Sequence, residues 1–201
     1  EEDNNTLSLA NSWTDTVGNT GTAATTSNFE VETLHPTVSS FTLSDTALKT
    51  GDNATVTLDF SEAVASFSSA DDITVDNGTL ATMTSSDNKT WEGIFTPTAN
   101  TEDDNNTLSL ATSYTDTAGN AGPTATTENY AVETLAPTVN SVVITSATGI
   151  QNSLLNAGDN VSVTATFSEA VIVDNSSGNN PTITLVVGST NRTATYASGD
   201  N

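Results

Sequence analysis

The sequence predicts an all-β chain of tandem antiparallel sandwiches, one complete and two partial, and three observations carry that expectation. The stretch 1–38 returns without a gap at 102–139, with 27 of 38 positions identical. A period of 101 residues is the length of one small domain and far exceeds a solenoid coil. Short apolar–polar alternations run through the 201 residues, 34% of which are hydrophobic. Thr is abundant while Lys and Arg total three (Lys49, Lys89, Arg192), which suits exposed strand faces better than helices.

The echo divides the chain into the C-terminal part of one repeat (1–35), a complete repeat (36–135) and the N-terminal part of a variant repeat (136–201). In the complete repeat Val38–Leu43 opens as a strand. Ala54–Phe60 follows with strict alternation, Ala54, Val56, Leu58 and Phe60 facing one way. Its counterpart at 161–167 keeps the alternation with different residues, which marks a core face. Ile73–Val75, 80–83, 91–95, Leu108–Leu110 and 130–132 complete the set, separated by turn sequences at 50–53, 76–78 and 118–120. Asn77-Gly78 reads as a hairpin turn. Seven strands in about 100 residues predict an immunoglobulin-like sandwich. Trp91 and Phe95 share a face, and Tyr114, like Trp13 in the first repeat, reads as a core aromatic at a strand end. A sugar-stacking platform is the alternative for Trp13 and Trp91. Asp103 and Asp104 read as surface acids of a loop. The third unit carries six extra residues between Val139 and Gly158, with 146–152 replacing a shorter loop.

Charge narrows the function. Against three basic residues stand 25 Asp and Glu, a formal net charge of −22. Nucleic acid is excluded as an expected partner, because phosphate backbones are bound by Lys and Arg. Uncompensated carboxylates repel one another unless salt or bound cations intervene. There is no cysteine, hence neither disulfides nor thiolate metal sites. No apolar run approaches membrane-spanning length, so direct membrane insertion is not expected. The chain reads as a window cut from a longer array.

Five motifs in fixed order carry a resemblance: DTALKTGD at 45–52, FSEAV at 60–64, DITV at 72–75, FTPTAN at 95–100 and YTDTAGN at 114–120. Together they resemble the bacterial Ig-like repeats of giant surface adhesins, over the whole central unit and into both flanking ones. The resemblance implies a tandem extracellular stalk at the bacterial surface, rigidified by calcium, that carries a binding domain away from the cell. Its immediate partners are neighbouring repeats of the same chain.

Antiparallel order puts alternate loops at the same end of a sandwich. Glu62, Asp71 and Asp72 lie in the connection after Phe60, and Asp116 and Asn120 in the loop after Leu110. Both loops return to the end facing the preceding repeat, where Glu32 enters the linker 32–36. Ca²⁺ takes six to eight oxygens from carboxylates, amides and carbonyls, and no basic residue stands near these in sequence. The pattern returns at the next junction with Glu133, Glu169 and Asp174, and Asp15 and Asn19 match Asp116 and Asn120 in the first repeat. The family shows Asp where this chain has Glu32 and Glu133. A second reading stands for Asp116 and Asn120, that they shape a turn by side-chain to backbone hydrogen bonds.

No catalytic residue is assigned. His35 is the only histidine, its counterpart is Ala136, and it reads as a linker residue. No Ser/His/Asp set or glycine-rich phosphate loop is present. The alternative to a stalk is a subunit of a cell-surface filament or surface layer, in which like chains complete one another's partial repeats by strand donation.

Overall fold

The computed structural model describes residues 2–174 and 181–199. The chain forms two compact units, 1–135 and 136–201. In the first, the tail of the leading repeat makes β1 (Glu2–Asn5), β2 (Ser8–Leu9), β3 (Ala24–Thr25) and β4 (Phe29–Val31). β1 pairs with β4 and β2 with β3, both antiparallel.

The central repeat opens with β5 (Val38–Leu43), β6 (Ala47–Lys49) and β7 (Ala54–Phe60). The alternation of β7 is realised in full: Ala54, Val56, Leu58 and Phe60 are buried, while Thr55, Thr57 and Asp59 are half-buried. Removing Val56, Leu58 and Phe60 from water contributes about 1.5–3 kcal/mol each. β8 (Val64–Ala65), the single helical turn α1 (Ser69–Asp72), β9 (Ile73–Val75), β10 (Gly78–Leu80) and β11 (Thr90–Pro97) follow. β12 (Glu102–Asn106), β13 (Leu108–Leu110), β14 (Thr115–Asp116), β15 (Ala125–Thr126) and β16 (Tyr130–Glu133) complete the repeat.

One sheet has the order β10-β11-β7-β5, and β12-β16-β6, β15-β13-β9 and β14-β8 build the opposing side. The pairing is antiparallel except between β16 and β6, which run parallel. Phe41, Phe95, Leu108, Leu110, Tyr114, Tyr130 and Val132 join the β7 residues in one core. The central repeat is an Ig-like β-sandwich.

Three expectations need correction. Asn77-Gly78 does not close a hairpin: β9 pairs with β13 and β10 with β11, so the turn hands the chain from one sheet to the other. Asn77 takes a positive φ of 45°, and Gly78 passes so close to the Phe95 ring that a Cβ would fall 2.1 Å from it. Asp103 and Asp104 belong to the strand β12, paired with β16, and not to a loop. Trp13 is 47% exposed, whereas its counterpart Tyr114 is 0% exposed, because Phe60 and Phe67 pack on Tyr114 and nothing equivalent covers Trp13 among the described residues.

In the second unit β17 (Val139–Thr148) pairs with β18 (Asn160–Phe167), and β19 (Thr182–Val187) with β20 (Thr190–Thr195). The extra residues lengthen the opening strand, ten residues in β17 against six in β5, before a turn with positive φ at Gly149, Asn152 and Ser153.

Candidate functional site

The end of the central repeat that meets the linker is built from four segments. β14 lies against β8, with Asp116 opposite Val64, which brings the loop after Leu110 beside the connection after Phe60. The Val64 amide donates to the Asn88 carbonyl (2.8 Å), adding the 85–89 turn. Half-buried Glu62 lies two residues before Val64. The Ser113 hydroxyl donates to the Asp72 carboxylate, whose other oxygen accepts the Ser68 amide (2.8 Å). Buried Asp72 thereby fixes α1 to the loop of Tyr114, while Asp71 is exposed.

Asp116 is 1% exposed and organises the turn around Gly119 (φ +96°). Its Oδ1 accepts the amides of Ala118 and Asn120 (both 2.8 Å), and its Oδ2 accepts Asn120 Nδ2 (2.8 Å). Burial is the largest single influence on this carboxyl and raises its pKa. Hydrogen bonds from the Asn120 side chain and from the amides of Asn120, Ala118 and Gly119 outweigh it, holding the group below the ordinary aspartate range. Asp15 and Asn19 repeat the turn in the open, with Asn19 Nδ2 2.6 Å from Asp15 Oδ2, and Asp15 is lowered chiefly by that bond.

The linker is fastened to this end at several points. Asn120 Nδ2 makes a long hydrogen bond to the Glu32 carbonyl (3.4 Å), and His35 Nδ1 lies 2.8 Å from the Ala121 carbonyl. Pro36 is fully buried. Thr37 and Ser61 exchange bonds, the Thr37 amide to Ser61 Oγ (2.9 Å) and the Ser61 amide to the Thr37 carbonyl (2.8 Å). The Glu32 carboxylate turns back to accept the Leu34 amide (2.6 Å).

The same local bonds recur one repeat on. Glu133 Oε1 accepts the Leu135 amide (2.9 Å), and Thr138 and Ser168 exchange bonds of 2.9 Å each. Glu169 is exposed just after β18, and Asp174 is exposed further on. Among the described residues, no group of three or more His, Cys, Asp or Glu side chains is placed to hold a metal ion.

Two features escaped sequence reasoning. His35 read as a plain linker residue, yet it bridges to Ala121. At the opposite end, buried Asn106 donates to the carbonyls of Asp103 (2.8 Å) and Tyr130 (3.0 Å) and accepts Asn77 Nδ2 (2.6 Å). The signal was present in the repeat: Asn5 makes the matching bonds to Glu2 and Phe29.

For hydrolysis of a glycoside, one carboxyl must stay protonated as the acid. A shallow hollow lined by Thr84, Ser85, Ser86, Asp87, Thr90 and Glu92 does carry two carboxylates. Asp87 Oδ1, however, accepts the Thr90 and Lys89 amides and the Ser85 hydroxyl, and these bonds lower its pKa. It is the pivot of a turn. Among the described residues no helix is long and apolar enough to cross a membrane.

A family model described as bacterial Ig-like domain matches residues 32–132, half of the chain. No curated protein and no solved structure matches it.

Proposed function

The chain belongs to the bacterial Ig-like domain family, and on that premise we propose that it is a non-catalytic spacer in an extracellular surface protein of the adhesin type. The observation that carries this reading is the recurrence of one fastening pattern where repeats follow one another. Glu32–Leu34 and Thr37–Ser61 at the first joint are matched by Glu133–Leu135 and Thr138–Ser168. A spacer gains reach only if its linkers resist folding back, and at 32–36 the Asn120–Glu32 and His35–Ala121 bonds hold the linker to the central repeat.

Calcium is the finer part of the proposal. Its candidate ligands are Glu32, Glu62, Asp72, Asp116 and Asn120 at the first joint, Glu133 and Glu169 at the second, and Asp15 and Asn19 in the first repeat. Support comes from the excess of 25 acids over three basic residues and from the meeting of the Asp116 loop with the Glu32 carbonyl. Since the described acids form no cluster of three, a preformed cage is not the right picture. We place the affinity with the weak extracellular class, about 10⁻⁴–10⁻³ M.

The filament alternative draws on exposed apolar residues: Leu7 and Leu9 are uncovered where their counterparts Leu108 and Leu110 are buried.

Small-angle scattering of the 201-residue chain, with a thermal melt at each calcium concentration, tests the reading. We expect a maximum dimension well beyond the length of one sandwich, about 40 Å, and a melting temperature that rises only at millimolar calcium. A compact particle would sink the spacer. Identical melts in millimolar calcium and in chelator would sink the calcium part alone.

A further inference from the structure

We infer that His35 is a positioning residue that locks the joint before the central repeat, donating its Nδ1–H to the Ala121 carbonyl. The inference rests on the spacer reading and deepens it. The Nδ1···O separation is 2.8 Å, and a carbonyl oxygen only accepts, so the imidazole proton must sit on Nδ1.

The acceptor is held rigidly. Ala121 bridges to Thr115, the next amide (Gly122) donates to the Tyr114 carbonyl at 3.1 Å, and Gly122 lies directly beneath the buried Tyr114 ring. On the linker side, the Glu32 carbonyl is bound to Asn120 and Pro36 is buried, and the His35 bond to Ala121 lies in sequence between these two fixed points. All these partners are protein atoms, so the lock works without a cation. Imidazolium also carries a proton on Nδ1, so the lock survives protonation. The counterpart Ala136 has no donor on its side chain. The side-chain lock is therefore a feature of the joint at 32–36.

His35 is the only histidine, so ¹⁵N NMR of the full chain reads a single pair of imidazole nitrogens. In chelator, at a pH where the ring is neutral, the Nδ1–H tautomer should predominate, the reverse of free histidine in water. Hydrogen exchange of the 33–35 amides should then quicken several-fold in His35→Ala, and His35→Gln, which keeps a side-chain N–H, should restore part of the protection. The melting temperature of the central repeat should stay unchanged in both. A predominant Nε2–H tautomer, or linker exchange unaffected by His35→Ala, would overturn the lock. Either result in a chain that still scatters as an extended particle would leave the spacer reading standing.

Discussion

Tyr114 and Gly122 in the central repeat, like Trp13 and Gly21 in the first, form a ring-on-glycine contact that leaves no room for a methyl group. A Cβ on Gly122 would fall 2.1 Å from the Tyr114 ring, and one on Gly21 2.2 Å from Trp13. Gly122→Ala should therefore lower the melting temperature more than Tyr114→Phe. The latter loses one hydrogen bond to the Pro123 carbonyl (2.9 Å), about 1 kcal/mol. Equal melts for the two variants would contradict the packing argument.

The titrating residues set a second expectation. Asp116 is held below the ordinary aspartate range, so its stabilising contribution is present above about pH 4 and is lost as pH falls through its folded value. Tyr114 is pushed up to about 12 by burial and by the nearby Asp72 charge. Its contribution is complete below about pH 10 and is lost as pH rises toward that folded value. A melting temperature that falls on both sides of this window fits. Tyr114→Phe should flatten the alkaline limb without removing it, since Tyr130 is raised as well. A melt that climbs as pH drops below about 4 would refute the sign assigned to Asp116.

At the scale of elements, β7 and β11 show which strands declare themselves. Leu58 lies in the centre of β7 with 0% exposure, and Ile94 sits on the outer face of β11 at 47%. Leu58→Ala should cost about 2–5 kcal/mol, while Ile94→Ala should stay within about 1 kcal/mol; chemical denaturation of the two variants checks the contrast. Alternation exposed β7 because four apolar side chains had to share one face. It could not expose β12, whose sequence EDDNN holds no apolar residue; its pairing with β16 and the buried Asn106 hold it. β6 was hidden for a related reason, since only Leu48 of its three residues is buried. Asn77-Gly78 advertised a turn correctly but not its destination, which the half-buried hydrogen bonds of Asn77 to Asp103 and Asn106 help to fix. The candidate joint was readable in its loop order, because antiparallel strands fix which loops share an end. The hydrogen bonds that occupy Asp116, Asp72 and Glu32 were not, because they depend on where each loop bends.

For the whole molecule, the 101-residue echo matters less as a count of domains than as a repeat of joints. Each recurrence brings the glutamate that turns back on its linker and the Thr–Ser exchange beyond it. On the proposed spacer reading, like charges along the array oppose its collapse and a fastened linker adds to its reach. The most direct measurement is a spin-label distance across the joint at 32–36, using Thr22→Cys and Lys89→Cys in a chain that otherwise lacks cysteine. Both positions are exposed. The account predicts one narrow distance distribution that persists in chelator and tightens further at millimolar calcium. A broad or multi-peaked distribution in both conditions would contradict it.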